Sequence, residues 1–336
     1  MFKTIDLALQ GGGSHGAFTW GVLERLLEVE SLVIEGVCGT SAGAINATLL
    51  AAGWQKSGRQ GAIRLLNKFW KKVSDTQTYS PMQPSWVDRW LGSGRMDYSP
   101  SYYMFDFFSQ MFSPYQFNPM DYNPLKDLLK EFVNFEKLRK FKEIKLFVCA
   151  TNVRTSRAKV FDIGEISADA VMASACLPHL FKAVEIEGEA YWDGGFMGNP
   201  PIFPLIDNTE TKDIVLVQIN PIQIRNIPKT SVEIRDRINE ISFNASLMHE
   251  MRRINFVQKN LHLGLDKHEK LRSLLIHHIS MEEVVENLGV SSKYNTNWEF
   301  LKSLKAKGRQ TAEIWLKNNY EHIGNQSTCD LENIFL

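Results

Sequence analysis

The sequence predicts an α/β protein: a three-layer sandwich with a central, mainly parallel sheet, helices on both faces, an aromatic-rich helical insert and a helical C-terminal extension. Three observations lead there. Two strand, glycine loop, helix units follow one another within about the first fifty residues, the pattern that yields parallel strands crossed by helices. Two later segments, IKLFVCA (144–150) and IVLVQI (214–219), are nearly unbroken apolar runs, as expected of strands buried on both faces. After Pro228, apolar residues recur at helical spacing.

In chain order, Thr4 to Leu9 reads as a first strand that breaks at Gly11, Gly12 and Gly13. Ala17 to Val29 follows as a helix, with Trp20, Leu23, Leu26 and Leu27 at helical spacing. Leu32 to Cys38 is a second strand ended by Gly39, and the Ala- and Leu-rich run Ala42 to Gly53 is the next helix. Between this part and Ile144, Tyr79 to Phe117 holds twelve aromatics and four methionines against five charged residues. Such a segment is either a packed helical subdomain or a lid that faces substrate. Beyond Pro228, Ile234, Ile238, Ile241, Ala245 and Met248 form one helical stripe, expected to be core. LLIHHI (274–279) reads as a late strand with one histidine ring on each side, and Trp298 to Asn318 as a closing amphipathic helix.

Among the 336 residues, Lys plus Arg and Asp plus Glu both number 38, so no net field argues for nucleic acid or for an anionic membrane as the main partner. Any lipid contact, including a transient membrane-surface contact, is then mostly apolar. Cys38, Cys149, Cys176 and Cys329 are scattered without a C-x-x-C pair and read as reduced core thiols. No His, Cys or Asp spacing suggests a metal, and the chemistry below calls for no cofactor. The first residues have too short an apolar stretch for a signal-peptide core, and no run reaches the roughly 20 apolar residues of a membrane span. A cytoplasmic location is the expectation, although a chain exported by a specialised route has the same appearance.

Three stretches carry chemistry. Gly39-Thr40-Ser41-Ala42-Gly43 is a G-x-S-x-G pentad between a predicted strand and a predicted helix. In that context a tight turn exposes the serine oxygen, and the flanking glycines avoid clashes. Gly11-Gly12-Gly13-Ser14, between the first strand and its helix, can present backbone N–H groups to an oxyanion, each worth roughly 3–4 kcal/mol in a well-formed hole. The stretch GGGSHG also partly resembles a dinucleotide loop, but Val37 and Cys38 stand where that fingerprint needs an acid closing the next strand. In YWDGGFMGNPP, Asp193 precedes Gly194 and Gly195, a tight turn that can present a carboxylate without crowding.

Taken together, GGGSHGAF, GTSAG about thirty residues on, ASACLPHLF, and YWDGG with NPP behind it resemble, in order and spacing, the four signature blocks of the patatin-like phospholipase family. The resemblance covers Gly11 to Pro201. It implies a lipid acyl hydrolase without metal or organic cofactor, with Ser41 as nucleophile and Asp193 as its base. It further implies amides of Gly11, Gly12, Gly13 and Ser14 as the oxyanion hole, Gly12 and Gly13 foremost, supported by His15, Gly16, Gly39, Gly43, Gly194 and Gly195 of the motifs. Residues 1–228 would form the catalytic domain, with 79–125 as insert or lid, and 229–336 a mostly helical extension on the same core. One departure is visible: the family's first block usually has Arg or Lys before its last glycine, where this chain has His15, a group mostly neutral at pH 7.

Other readings remain open at this level. A thioesterase or an intracellular polyester depolymerase would use the same dyad. A nucleotide-binding module would use GGGSHG for phosphate, and a non-catalytic scaffold would use the aromatic insert as an interface. An α/β-hydrolase triad would draw on one of the histidines after Asp193, at 249, 262, 268, 277, 278 or 322, but Ser41 follows only the second strand, early for that fold. His179, inside the third block, is the most tempting imidazole, yet the resemblance gives that block a shaping role.

Overall fold

A computed structural model describes residues 2–77, 84, 85, 87, 88, 94–96, 98–262, 272–282 and 288–336. The first two units form as expected: β1 (Lys3–Leu9), α1 (Gly16–Leu27), β2 (Leu32–Gly39) and α2 (Ala42–Gln77). The last of these runs well past Gly53 but is broken at Ser57 and Gly58, whose φ and ψ are not helical. Gly58, at φ 58° and ψ −152°, is in a conformation open essentially to glycine alone.

The remaining strands are β3 (Lys145–Asn152), β4 (Ala158–Asp162), β5 (Val184–Ile186), β6 (Glu189–Asp193), β7 (Asp213–Gln218) and β8 (Leu275–Ser280). Across the sheet, β3, β2, β1, β7 and β8 are neighbours in that order and all parallel. Antiparallel β4 and the β5–β6 hairpin complete the β3 side. These three strands are absent from the reading of the sequence, which registers only a turn at Asp193. Their burial is partial and their runs are three to five residues, too short for a period-2 pattern to stand out.

Helices cover both faces, so the sandwich is the one expected. On one face Ile5, Leu7 and Leu9 of β1 meet α1, α2 and the closing helix through Phe18, Leu49, Phe69, Leu304 and others. On the other, Ala8, Cys38 and Leu216 meet Leu247, Met251 and Ile254 of the long helix Ser231–His262. Adjacent β1 residues thus point to opposite layers, as a pleated strand requires. His277 and His278 obey the same alternation, one against Trp315 and the other against Phe335. All four cysteines are buried free thiols.

The stripe expected to be core on the long helix is core only at its end: Met248 packs against the buried cluster and Ala245 is half-buried, but the three isoleucines before them are not core. Ile238 and Ile241 are 58% and 55% exposed and Ile234 is exposed as well, while Asn244, Leu247, Met251 and Ile254 form the buried face. Periodicity identifies an amphipathic helix but not its seat: the helix meets the sheet through its middle, and its N-terminal turns extend beyond it. Of the aromatic insert, residues 79–83, 86, 89–93 and 97 lie outside the described residues. The part described includes a helix, Pro100–Met111, and keeps Met96 and Tyr102 buried, whereas Tyr98, Met104, Phe107, Met111, Tyr115, Met120 and Tyr122 are exposed. A fully packed subdomain is therefore not what these residues form.

Candidate active site

Register brings the motifs together. β1 and β2 end level, Leu9 opposite Gly39, so the glycine loop and the serine pentad leave the sheet side by side at the C-terminal ends of parallel strands, where open α/β sheets place ligands. β2 pairs with β3 as far as Gly39 opposite Val148, and β6 pairs with β3 from Asp193 opposite Ala150. β4 pairs with β3 over 147–151. Because a strand has only two edges, β2 and β6 must share the edge that β4 leaves. Ser41, two residues beyond the end of β2, therefore meets Asp193, the last residue of β6.

Ser41 is half-buried and has φ 55°, a left-handed conformation that costs a non-glycine residue about 1–3 kcal/mol and persists only where the surroundings impose it. The surroundings do. A Cβ on Gly43 would lie 2.1 Å from the Leu9 carbonyl oxygen and one on Gly39 2.4 Å from that of Gly43, so the turn closes only with glycine at both places. The Ser41 N–H donates to Ser174 Oγ at 2.9 Å, at the end of the helix Ala168–Ser174 in the third motif block. Thr40 Oγ1 donates to the Gly198 carbonyl at 2.6 Å, tying the elbow to the loop after Asp193.

Asp193 is fully buried. Its Oδ1 accepts from the Gly195 N–H at 2.7 Å, and Oδ2 makes no hydrogen bond among the described residues. Burial pushes its pKa up to about 7, against the Gly195 N–H and the nearby Ser41 hydroxyl, which both favour the ionised form. Gly194 is required by contact, since a Cβ there would lie 2.1 Å from the Cys149 carbonyl oxygen. The carboxylate thus has one oxygen fixed and one spare beside a serine.

The glycine loop divides by function. Both polar groups of Gly11 are engaged: its N–H donates to Asn199 Oδ1 at 2.7 Å and its carbonyl accepts from Asn220 Nδ2 at 2.6 Å. Gly11 therefore has no N–H left for a ligand, and its Cα packs on the elbow, where a Cβ would lie 2.6 Å from Ser41 Cβ. The N–H groups of Gly12, Gly13 and Ser14 have no acceptor among the described residues, and Gly12 and Gly13 reach the surface. Gly13 combines φ 58° with a Cβ position 2.5 Å from the Lys293 carbonyl oxygen, so only glycine fits.

His15 is fully buried, its Nε2 2.7 Å from Ser292 Oγ. The Ser292 hydroxyl donates to the Gly289 carbonyl, so the imidazole carries its proton on Nε2. Burial, then the neighbouring Lys293 ammonium, lowers its pKa to about 3, and the ring is neutral. Gly16 fits between Ala42 and Trp70 at the start of α1. His179 is exposed in a turn and His249 is exposed on its helix, while His277 bonds Thr328 and Asp213 and His278 bonds Gln218. His268 lies outside the described residues. No described imidazole bonds Ser41 or Asp193, and no group of three or more His, Cys, Asp or Glu among the described residues could hold a metal ion.

Four residues of this site were not singled out from the sequence: Ser174, Asn199, Asn220 and Lys293. Asn199 and Ser174 lie inside the quoted blocks and could have been suspected there. Asn220 and Lys293 carry no motif, because what they do depends on contacts between distant segments, 209 residues for Asn220 with Gly11 and 73 for Lys293 with Asn220.

A hydroxyl held out on a strained elbow, a buried acceptor beside it and a row of unpaired amides suit one kind of ligand, a carbonyl whose oxygen gains negative charge. The class so defined is the α/β proteins that present a serine and an acid to an amide-lined loop. The sequence model of patatin-like phospholipases matches residues 7–206, and the chain belongs to that family. No curated protein sequence matches it. Among solved structures, it is similar to VipD from Legionella pneumophila at 16% identity and TM-score 0.46, over 93% of this chain and 66% of that one. The type III effector protein ExoU is similar at 16% identity and TM-score 0.37, over 93% and 53%. The heterodimeric ExoU–SpcU complex from the type III secretion system of Pseudomonas aeruginosa gives 14% identity and TM-score 0.33, over 95% and 60%. The chain thus spans between about half and two thirds of the length of the solved chains it resembles.

Proposed function

We propose that the protein hydrolyses carboxylic ester bonds of lipids, as a phospholipase A or lysophospholipase does, through an acyl-enzyme on Ser41 with Asp193 as base. The observation that carries this reading is the shared edge of β3, which sets a serine in a left-handed elbow beside a fully buried carboxylate with one unengaged oxygen. Asp193 takes the proton of Ser41 Oγ as Oγ attacks the ester carbon. The N–H groups of Gly12 and Gly13, with Ser14 beside them, hold the oxyanion. The leaving alkoxide takes the proton from Asp193, and water repeats the sequence to release the acid. Every proton and electron pair is accounted for by the two side chains and water.

Lipid as substrate is supported by exposed apolar side chains, which we propose form a rim to the site. Exposed Met104, Phe107, Met111 and Tyr115 of the insert, Phe196 and Met197 just after Asp193, and Ile234, Ile238 and Ile241 of the long helix leave much apolar surface uncovered. Among the described residues no helix is long and apolar enough to cross a membrane; the rim suits contact with a lipid surface rather than passage through it. The catalytic unit would span 1–228, with 229–336 completing its core, since Ser292 and Lys293 pack on the glycine loop.

The test is labelling with a fluorophosphonate ester followed by peptide mapping. Modification at Ser41, lost in Ser41→Ala, is the expected result; absence of labelling while the protein turns over ester would overturn the assignment. Thioester and polyester substrates belong in the same panel, because the dyad chemistry would serve them equally.

A further inference from the structure

A run of three glycines is the least self-ordering stretch of backbone available, yet an oxyanion hole needs its N–H groups aimed before the reaction begins. In a trans peptide, the carbonyl of one residue and the N–H of the next point in opposite directions. Whatever holds the Gly11 carbonyl therefore aims the Gly12 N–H. That holder is Asn220, whose Nδ2 donates to the Gly11 carbonyl at 2.6 Å. Asn220 is anchored in turn: its own N–H donates to Gln10 Oε1 at 2.8 Å, and its carbonyl accepts from Gln218 Nε2 at 2.8 Å.

An asparagine amide can be turned either way round, and only one way serves. Turned the other way, it would set an oxygen against the Gly11 carbonyl. The Lys293 ammonium donates to Asn220 Oδ1 at 2.9 Å. An ammonium has donors only, so it accepts the amide oxygen and rejects the amide nitrogen, leaving Nδ2 for Gly11. Its charge also polarises the amide and strengthens the Nδ2 donor. Lys293 is itself half-buried, with Glu240 Oε1 at 3.8 Å and Asp236 acting on its charge, and neutral His15 lies close by. Neither Asn220 nor Lys293 lies in the segment matched by the family, 7–206.

We propose that Asn220 and Lys293 are a positioning pair for the oxyanion hole: Lys293 fixes the orientation of the Asn220 amide, and Asn220 locks the Gly11–Gly12 peptide with the Gly12 N–H facing the reacting carbonyl. The inference rests on the ester-hydrolase reading of the same site. It accounts for the part of the chain that carries no family motif and still reaches the loop.

Three substitutions test it. Asn220→Asp keeps the shape and the contact with Lys293 but replaces the donor to Gly11 with an oxygen. Its kcat should fall about 100-fold, the size of effect of losing one hole donor, with KM within threefold of wild type. A lipid trifluoromethyl ketone, which forms a tetrahedral oxyanion adduct on serine, should lose potency by a similar factor, whereas a merely structural defect would not move the two together. Lys293→Met should lower kcat about tenfold, and Lys293→Gln, which keeps a donor for Asn220 Oδ1, should restore at least a third of wild-type kcat. If Asn220→Asp does not fold, as judged by its melting transition, the Met and Gln variants decide the matter alone. Wild-type kcat in Asn220→Asp, or equal losses in Lys293→Met and Lys293→Gln, would overturn the proposal. Turnover retained by Ser41→Ala would instead overturn the ester-hydrolase reading beneath it.

Discussion

The floor of the site and its rim are built on opposite principles. In the floor, the backbone around Ser41 and Asp193 is held by short hydrogen bonds and by contacts only glycine permits: Gly11 between two asparagines, the Ser41 N–H on Ser174, Asp193 Oδ1 on Gly195. In the insert, proposed above to serve as the rim, large apolar side chains such as Met111, Met120 and Tyr122 are exposed. The difference separates two tasks. Stabilising charge that appears at one atom needs donors and acceptors held in place beforehand, while meeting an apolar ligand of variable shape needs surface and little direction.

The comparison can be broken most sharply at the floor. Ser41→Ala and Asp193→Asn should each cut ester turnover by about a thousandfold or more, as loss of a nucleophile or its base does. A separate signature distinguishes the acid. Its pKa is near 7 folded against 3.8 unperturbed, so ionising it costs stability: the protein loses stability as pH rises between these two values, and the loss is complete above the folded pKa. Asp193→Asn should therefore be inactive yet more stable than wild type at pH 8, by up to about 4 kcal/mol on the linkage relation, and show little gain at pH 4. Denaturant unfolding at the two pH values checks this, and equal stability at both would mean that the carboxylate is not held against its ionisation. Ser41→Gly should be as inactive as Ser41→Ala but about 1 kcal/mol more stable, because it releases the left-handed strain.

Next in size is the pH dependence of activity. With Asp193 as base, kcat/KM should rise through a pKa near 7, since the free enzyme must carry the ionised carboxylate. His15, held neutral with a pKa near 3, should contribute no step between pH 5 and 9; a profile already flat at pH 5 would remove Asp193 from the role. Ser174→Ala, which leaves the Ser41 N–H without its acceptor, is expected to cost about tenfold in kcat, as a displaced nucleophile does, with folding retained.

At the rim the effects should be smaller and depend on the substrate. Replacing Met111 and Met120 together with Gln should leave hydrolysis of a short soluble ester within twofold. The same protein should lose about fivefold on phospholipid vesicles, about 1 kcal/mol, because side chains that only dip into a lipid surface gain a fraction of the roughly 1.5–3 kcal/mol of full burial. Equal rates on vesicles would detach the rim from function. Smallest of all, His179→Ala should stay within threefold of wild type on either substrate, since that ring is exposed and in a turn.

Much of the floor was legible in the sequence because its parts are local. GTSAG must be an elbow wherever it follows a strand and precedes a helix, since Gly39 and Gly43 are needed by contacts within the turn and with the neighbouring strand. The glycine loop, the helices after it and the apolar runs of β3 and β7 follow from composition and period alone. The stripe at Ile234, Ile238 and Ile241 has the same period and a different fate, because period states which residues share a face and is silent on what that face meets.

Three things were decided only by the tertiary structure. The short strand β6 takes up the edge of β3 where β2 stops, and that pairing, Asp193 opposite Ala150, is what puts Asp193 beside Ser41, a residue about 150 positions earlier. Burial then moves that aspartate to near neutral pKa, a property of its surroundings with no counterpart in the motif. Last, the direction of each amide in the glycine loop depends on who holds the carbonyls: Asn199 and Asn220 reach Gly11 across 188 and 209 residues. A glycine's own conformational preference is too weak to choose. The sequence by itself determined which groups could do the chemistry; strand pairing, desolvation and remote hydrogen bonds determined where they point, because each is an energy between segments that no local stretch contains.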